Sequence, residues 1–377
     1  MKKDCCFGLI TLLLCGMVSV PGVNGLYGAD EVSDEDQVEI NTTSNRNSRM
    51  YTKDVKKAVK RGLNFLACKQ YQDGSWGEQY KVACTSLSGL SMLANGSTTN
   101  RGKYARNLKK AVEYLLAVQN DNGFFNDTRS RMHGHGFATM FMAEVYGMSN
   151  SGSLREPDDF TKRIKASLDK AIDILCTSQA IEGGFPYTPT RTRGNSHEGS
   201  ITVCCVEGMR AARDAGIRVP RDNITEAVNY MKKTYGNGTF AYRLGMAPRS
   251  SYALSAAGAC VLIATGDQSG VVQDMIDECI EFMKAFKPGA GNMAYGYYYY
   301  SHFYAAQAFH FRGGAEWVDW YKGAKRELMT NQIIDDTDTL GYWGSVGSEA
   351  GGDITFSTSI SLLILQMPNE YLPIFQR

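Results

Sequence analysis

The sequence predicts an all-α protein in which six helical hairpins close into a ring. Three observations support this prediction: a helical segment recurs at intervals of 45 to 60 residues, a glycine turn follows it, and a second helix completes each copy. Because the second helix is apolar on nearly all sides, it is expected inside the ring, with the first helix outside. The six copies align on Gly62, Ala111, Ala171, Ala227, Cys279 and Ala324.

The first helix of each copy is predicted to be amphipathic. In the first copy, Leu63 and Leu66 follow Gly62 by one and four positions, which is the helical period. The second helices carry small and apolar residues around their whole circumference. They are expected at residues 82–94, 136–147, 201–212, 251–265, 303–311 and 356–367. An open solenoid would expose these helices to water, so a closed ring fits the pattern better.

Three of the turns share a glutamine, a glycine four residues later and an aromatic residue two positions further on. The copies are Gln70, Gly74 and Trp76; Gln119, Gly123 and Phe125; and Gln179, Gly183 and Phe185. Glycine supplies the positive φ that ends a helix, and the aromatic ring can fix the turn to the next repeat. The 39 glycines, against nine prolines, therefore indicate recurrent turns and close helix contacts.

These turns, on this repeat period, resemble those of the prenyltransferase and squalene-cyclase repeat family. The resemblance covers residues 55–367. It implies an (α/α)6 toroid, with six inner helices in a ring, six outer helices around them and a central cavity. The same architecture serves enzymes and binding proteins, so the fold alone does not decide the function.

The catalytic motifs of this family are incomplete in the chain. Squalene-type cyclases protonate their substrate with Asp-x-Asp-Asp, and the nearest segment here, 333–336, has Ile333 in place of the first Asp. Protein prenyltransferases bind zinc through Asp, Cys and His. His302 resembles the histidine, but the start of the preceding inner helix, near Ser250, offers neither Asp nor Cys. We therefore expect a member without the usual motifs, and neither a metal nor a cofactor.

Polar side chains gather where the inner helices are predicted to begin. If all inner helices run the same way, their N-termini share one rim of the ring, where partial positive charge favours anions. The candidate catalytic residues at this rim are His133, His135, His197, Glu198, His302 and Asp353. Imidazoles with a carboxylate can bind a metal or transfer protons near neutral pH. Alternatively, these residues cap helices and bond to neighbouring loops.

Aromatic and basic side chains near the same rim are candidates for ligand binding. The candidates are Tyr252, Tyr298, Tyr300, Arg191 and Arg193. Tyrosine rings can line a pocket for an apolar ligand, a cation or the face of a sugar, and the alternative is that they pack in the core. Two arginines in one loop can clamp a carboxylate or phosphate, and the alternative is a solvated loop.

The N-terminal segment has the layout of a secretory leader. Lys2 and Lys3 precede an apolar run over 7–20, and Pro21 then breaks it. The sequence predicts a signal peptide at 1–25, a flexible tether at 26–50 and the toroid at 51–377, and thus an exported protein that is periplasmic, bound in the cell envelope or secreted. A membrane anchor is the alternative, although the apolar run is short for a bilayer span.

Composition narrows the function classes without choosing among them. With 40 basic and 39 acidic residues, the chain lacks the basic excess of nucleic-acid binders, and after the leader no stretch could span a membrane. The seven later cysteines are expected to be buried free thiols, with one or two disulfides as the alternative.

The first functional hypothesis is an exported toroid that binds an unknown small molecule or protein through its cavity and rim. The alternative is a divergent terpenoid-cyclase-like enzyme, or a lyase or hydrolase that uses the rim histidines.

Overall fold

The computed structural model describes residues 49–150, 156–191, 197–286, 288, 297–347 and 349–376. Within these ranges, twelve α-helices alternate between outer and inner positions. The outer helices are α1 (Lys53–Lys69), α3 (Ala105–Val118), α5 (Asp159–Ser178), α7 (Arg221–Thr234), α9 (Gly270–Lys284) and α11 (Gly314–Thr330). The inner helices are α2 (Lys81–Leu93), α4 (Arg131–Asn150), α6 (Gly199–Asp214), α8 (Tyr252–Thr265), α10 (Tyr298–Arg312) and α12 (Ile354–Gln366). The predicted all-α toroid of six hairpins is confirmed.

The predicted leader and nearly all of the predicted tether lie outside the described residues. In the part of the chain that the structure describes, no helix combines the length and the apolar character needed to cross a membrane.

The six inner helices form a closed ring. Each contacts the next in chain order, and the last, α12, packs against the first, α2. At this joint, the hydroxyl oxygens of Ser88 and Ser359 lie 2.9 Å apart in a buried hydrogen bond. On the outside, α1 packs against α12. The first outer helix therefore covers the joint between the last repeat and the first.

The glutamine of each turn joins one repeat to the next. Gln119 Nε2 donates to the carbonyl of Gly123 in its own turn, at 2.8 Å, and to the carbonyl of Ser167 on the next outer helix, at 3.0 Å. Gln70 and Gln179 make the same pair of bonds. In the sixth repeat, Gln332 Nε2 donates to the carbonyl of Ala58 on α1, at 2.9 Å. A glutamine bond to the next outer helix thus closes three internal joints and the ring itself.

The aromatic residue of each turn is anchored to the following inner helix. The backbone N–H of Trp76 donates to Thr85 Oγ1, at 2.9 Å, and that of Phe125 donates to His135 Nδ1, at 3.2 Å. Phe185 and Trp343 repeat the contact with Thr202 and Thr358. The other ring nitrogen of His135 lies 3.1 Å from the carbonyl of Ala171. His135 therefore holds the second repeat against the third, with both ring nitrogens engaged.

Three two-stranded antiparallel hairpins lie in the loops. They pair β1 (Phe185–Pro186) with β2 (His197–Glu198), β3 (Tyr235–Gly236) with β4 (Thr239–Phe240), and β5 (Ile333–Ile334) with β6 (Gly341–Tyr342). The segment nearest to an Asp-x-Asp-Asp motif lies in the last hairpin. There the carboxylate of Asp335 accepts the backbone N–H groups of Thr339 and Leu340, at 2.9 and 2.8 Å. This carboxylate shapes a surface turn.

The C-terminal segment folds back across the end of the ring where the inner helices finish. Ile374 and Phe375 are buried. The N–H of Ile374 donates to Glu144 Oε1 on α4, at 3.2 Å, and His310 Nε2 on α10 lies 2.9 Å from the carbonyl of Phe375. The segment therefore bridges two inner helices and covers this end of the ring.

The seven cysteines of the described residues are free thiols. Five are buried, whereas Cys68 is exposed and Cys176 is half-buried. These two differ from the prediction because they lie on the outward-facing side of the amphipathic helices α1 and α5. Burial raises the pKa of Cys84, as it does for the other buried thiols, so these cysteines fill space in the core.

We expect stability to be highest between about pH 4.5 and 6.5. Burial raises the pKa of Glu144 and of Glu207 from 4.5 to about 8. The stabilisation from these protonated carboxyls is complete below pH 4.5 and is lost as the pH rises through 8. Burial lowers the pKa of His135 and of His302 from 6.5 to about 4. Their contribution is complete above pH 6.5 and is lost as the pH falls through 4.

Thermal unfolding from pH 4 to pH 9 measures this dependence. The free energy of unfolding should fall above pH 6.5, by on the order of 2 kcal/mol per carboxyl at pH 8. The Glu207→Gln variant should lose less free energy of unfolding above pH 6.5, because a glutamine side chain stays neutral at every pH. If this variant and the wild-type protein lose the same free energy of unfolding above pH 6.5, Glu207 does not contribute to the pH dependence.

Candidate functional site

A cavity of about 480 Å³ opens at the end of the ring where the inner helices begin. Its aromatic lining is Tyr80, Phe137, Tyr187, Tyr297, Tyr300 and Phe356, and its polar lining is Arg129, Ser130, Arg131, His133 and Glu349. These side chains come from the starts of α2, α4, α10 and α12, from the loops before these helices and, for Tyr187, from the segment directly after β1. An aromatic cavity with a few polar groups, within the usual range of about 300–1,000 Å³, is typical of a small-molecule site.

Glu349 is held in the cavity wall by the loop before α12. The next residue, Ala350, has a φ of 45°, which only a minority of non-glycine residues adopt. The Glu349 carboxylate accepts the backbone N–H groups of Tyr299 and Tyr300, at 3.0 and 2.9 Å. Burial raises the pKa of Glu349 to about 7, although the two N–H bonds oppose this shift. The carboxyl therefore exchanges its proton near neutral pH, at the N-terminus of α10.

His133 lies in the first turn of α4 and is half-buried. Its Nε2 lies 3.2 Å from Ser200 Oγ, and the Ser200 hydroxyl donates to Glu198 Oε1. Because serine has one hydroxyl hydrogen, Nε2 of His133 donates to Ser200 and Nδ1 is the basic nitrogen. Burial lowers the pKa of His133, Glu198 raises it, and Arg131 lowers it further. The net lowering keeps the imidazole neutral at pH 7.

Glu198 lies at the centre of a buried polar network next to the cavity. It is in β2, directly before α6, and is fully buried. Its Oε1 accepts from Ser200, and its carboxylate also lies within hydrogen-bonding reach of the hydroxyls of Tyr187 and Tyr242. Tyr187, in the cavity wall, shares a hydroxyl hydrogen bond of 3.0 Å with Tyr242. Tyr300 donates to the carbonyl of Ser200, at 3.3 Å, which connects the network to α10.

Two arginines stand at the mouth of the cavity on a strained loop. Thr128 and Arg131 have φ values of 67° and 52°, and such strain persists where surrounding contacts enforce it. The carboxylate of Asp127 enforces it here, because it accepts the N–H groups of Val82, Arg129 and Ser130 at 2.6, 3.0 and 2.6 Å. Arg129 and Arg131 form no ion pair within the described ranges. Their charges are available to an anion.

Three of the predicted residues form a cluster beside α11. His302 stacks on Tyr298, with ring centroids 4.1 Å apart, and its Nδ1 lies 2.8 Å from the Tyr298 carbonyl. Tyr252 lies next to His302, at 5.3 Å between ring centroids, and its hydroxyl accepts from Trp320 Nε1, at 3.0 Å. None of the three is among the side chains that line the cavity. Tyr300, by contrast, does line it.

The remaining predicted residues lie in separate environments. His197 is buried, packs edge-on against Tyr230 and has Nε2 3.6 Å from Glu182 Oε2. Asp353 caps α12, since its carboxylate accepts the N–H of Thr355 at 2.8 Å. Arg191 is exposed, and Arg193 lies outside the described residues. The rim residues therefore do not converge on one point, and no three His, Cys, Asp or Glu side chains of the described ranges are grouped to hold a metal.

Comparison with solved structures agrees with this architecture. The type II terpene cyclase MstE from Scytonema, in its apo form, is similar with a TM-score of 0.56 and 13% identity, over 85% of this chain and 100% of that chain. An Arg-to-Ala variant of MstE, in complex with its substrate geranylgeranyl dihydroxybenzoate, has a TM-score of 0.56 and 12% identity, over 85% and 98%. An Asp-to-Ala variant with the product merosterolic acid A has a TM-score of 0.54 and 12% identity, over 88% and 99%. No protein-family model matches the sequence.

The chain has the type II terpene cyclase fold. The resemblance to the prenyltransferase and squalene-cyclase repeats is therefore confirmed at the level of the fold. Within this terpene cyclase fold, the cavity lies at the rim that the sequence predicts, where the inner helices begin.

Sequence reasoning missed several cavity residues of this terpene cyclase fold. Glu349 lies four residues before Asp353, the polar residue that the sequence predicts at the start of the sixth inner helix. Arg129 and Arg131 lie just before His133. One signal could have found all three: each is a charged residue at the first position of an inner helix or a few positions before it.

Proposed function

We propose that this protein is a terpenoid-cyclase-like enzyme that isomerises an apolar, anion-bearing substrate in the rim cavity. Glu349 is the general acid and His133 is the general base. The observation that carries the proposal is the presence, in one aromatic cavity, of two groups whose surroundings move their pKa values in opposite directions. Such pairs identify acid and base assignments in enzymes.

The surroundings of Glu349 suit an acid. Burial keeps the carboxyl protonated up to about pH 7, which matches general acid catalysis near neutral pH. After it gives up the proton, the carboxylate is stabilised by the N–H groups of Tyr299 and Tyr300. The positive end of the α10 dipole adds to this stabilisation.

The walls of the cavity suit a cationic intermediate with an anionic substituent. Phe137, Tyr300 and Phe356 line the cavity, and aromatic rings can stabilise a positive charge by cation–π attraction. Arg129 and Arg131 stand at the mouth, where a carboxylate or phosphate of the substrate would bind. The substrate of MstE, geranylgeranyl dihydroxybenzoate, combines an apolar chain with such a group.

The reaction balances as an isomerisation. The proton of Glu349 adds to a carbon–carbon double bond of the substrate and leaves a carbocation. A second double bond attacks the cation and forms a ring bond, which moves the positive charge. His133 Nδ1 then removes a proton from a carbon next to the charge, and a new double bond forms. Solvent returns the proton from His133 to Glu349, so substrate and product have the same mass.

We expect a bell-shaped pH profile of kcat/KM. The alkaline limb follows Glu349, which must be protonated and loses its proton as the pH rises through about 7. The acid limb follows His133, which must be neutral and has a pKa lowered from 6.5. Geranylgeranyl dihydroxybenzoate is the first test compound, and chromatography with mass detection measures products of unchanged mass. A rate that keeps rising between pH 7 and 9 would contradict the role of Glu349 as the acid.

Ligand binding without catalysis is the second candidate. It is favoured by the geometry of Glu349, whose two oxygens accept two backbone N–H groups at the start of α10, as in a helix cap. In this case the same amphiphile should raise the melting temperature, and no isomer should form over hours of incubation. Formation of an isomer at a rate proportional to protein concentration excludes this candidate.

A further inference from the structure

Glu198 occupies the N-cap position of α6 without capping the helix. Its backbone is extended, with a φ of −149°, and its side chain accepts no N–H group from the first turn of α6, although an acidic side chain there is well placed to do so. Its Oε1 instead accepts the hydroxyl hydrogen of Ser200, and the hydroxyls of Tyr187 and Tyr242 lie within hydrogen-bonding reach of the carboxylate. Hydroxyl groups, and not the helix, therefore hold this carboxylate.

The groups around Glu198 suit an ionised carboxylate. The side chain is fully buried, and a buried charge is tolerated only where hydrogen bonds and opposite charges compensate it. A carboxylate accepts hydrogen bonds without donating any, and its neighbours here are hydroxyl donors. The Arg131 guanidinium lies 5.5 Å from the ring centre of Tyr187. That of Arg243 lies 5.3 Å from the ring centre of Tyr242. The network therefore favours a negative charge inside the ring, next to the rim cavity.

Two backbone hydrogen bonds fix the tyrosines against α4 and α6. The residue directly before His133 donates its N–H to the carbonyl of Tyr187, at 3.1 Å. The residue directly after Glu198 donates its N–H to the carbonyl of Tyr242, at 3.3 Å. The Ser200 hydroxyl lies between the two functional groups, since it donates to Glu198 and its Oγ is 3.2 Å from His133 Nε2. One hydroxyl group therefore connects the buried carboxylate to the imidazole.

We propose that Glu198, acting through the Ser200 hydroxyl, is the positioning residue for the base His133. It keeps the imidazole hydrogen on Nε2, and it provides the counter-charge when Nδ1 takes up a proton from the substrate. The inference rests on the proposed function, in which His133 is the base. A buried carboxylate that orients an imidazole and stabilises its cation serves other acid–base sites, and here a serine hydroxyl lies between the two groups. Glu198 is not among the side chains that line the cavity, so its effect on the reaction passes through His133.

The charges that face His133 act on its pKa in opposite directions. Burial lowers this pKa, Glu198 raises it and Arg131 lowers it further. Removal of the Glu198 charge leaves only the two lowering effects, so the imidazole becomes a weaker base. In the Glu198→Gln variant, His133 should therefore bind a proton only at lower pH.

Nuclear magnetic resonance of the five histidines measures the tautomer and the pKa of His133 without any substrate. A His133→Asn variant identifies the signals of this residue. In the wild-type protein, the imidazole hydrogen should lie on Nε2. In Glu198→Gln, the pKa of His133 should fall by about one pH unit, and the acid limb of the kcat/KM profile should move with it. The value of kcat should fall about tenfold, because proton transfer slows as the base weakens, whereas KM should change less than about threefold.

Variants of Ser200 test the link separately from the charge. Ser200→Ala removes the hydroxyl, so both tautomers of His133 should be populated and kcat should fall as in Glu198→Gln. Ser200→Thr keeps the hydroxyl and should restore the tautomer and the rate, which a purely structural role would not explain. The matched control is Glu182→Gln, because Glu182 lies 3.6 Å from Nε2 of a different buried histidine, His197. This variant should change the signals of His197 and leave those of His133 as they are.

These measurements separate the inference from the proposed function. If the signals of His133 respond as expected but geranylgeranyl dihydroxybenzoate gives no isomer, the proposed function fails and the action of Glu198 on His133 stands. The inference is overturned if the tautomer and the pKa of His133 are the same in wild type, Glu198→Gln and Ser200→Ala, or if the wild-type hydrogen lies on Nδ1. If Glu198→Gln does not fold, the comparison of Ser200→Ala with Ser200→Thr decides.

Discussion

Replacement of Glu349 by glutamine should lower kcat by about 10²- to 10⁴-fold, the usual contribution of a general acid. Glutamine has nearly the shape of glutamic acid but carries no acidic proton. Its amide oxygen can still accept an N–H group from Tyr299 or Tyr300, so the loop before α12 should keep its position. Substrate affinity should change by less than about threefold, because the head group and the apolar chain bind elsewhere in the cavity. Steady-state kinetics with the prenylated benzoate measure both quantities.

The matched control for this variant is Glu78→Gln. Glu78 is an exposed carboxylate whose backbone N–H donates to Asp353, so it lies close to the same loop but outside the rim cavity. Its replacement should leave kcat unchanged. If Glu349→Gln retains more than about one fifth of the wild-type kcat, Glu349 is not the acid and the proposed mechanism fails.

Replacement of Gly183 by alanine should destabilise the protein by about 3–5 kcal/mol, which is at the upper end for single substitutions. Gly183 has a φ of +98°, and an added Cβ would lie 2.0 Å from the carbonyl oxygen of Glu226 on α7. Neither atom can move alone, because the carbonyl belongs to a helix and the turn is held by Gln179. Chemical unfolding with urea measures the loss.

Gly216→Ala is the matched control for the turn substitution. Gly216 has a similar φ of +86°, but an added Cβ would meet nothing within 4 Å. Its replacement should therefore show the effect of backbone strain alone, about 1–2 kcal/mol. Equal losses in the two variants would mean that close packing against α7 contributes nothing to the requirement for glycine at Gly183.

The repeat pattern could be predicted from the sequence because it has a local physical cause. Each turn needs a glycine at positive φ, and each outer helix needs an apolar stripe, so both leave a periodic signal. The contact made by His135 could not be predicted from this periodic signal. It anchors Phe125 as Thr85 anchors Trp76 and as Thr202 anchors Phe185. The loops between these pairs differ in length, so the equivalence of a histidine and two threonines is visible only in three dimensions.

The positions of the site residues depend on contacts that leave no periodic signal. His302 and Glu349 both lie near the start of an inner helix, yet His302 turns outward to stack on Tyr298. Glu349 enters the cavity wall because Ala350 adopts a left-handed conformation, which its sequence does not favour. The direction of a side chain at a helix start is set by packing between repeats, and one sequence does not reveal it.

Closure of the ring by Gln332 and α1 has a consequence for synthesis of the chain. In linear repeat proteins each new repeat can pack on the one before it, and the first repeat is stable early. Here α1 and α2 find their partners on α12, at the far end of the sequence. The first repeat therefore leaves the ribosome with one apolar flank uncovered, and that flank stays uncovered until the sixth repeat has been made. A chaperone that shields apolar surface during translation would act mainly on this flank.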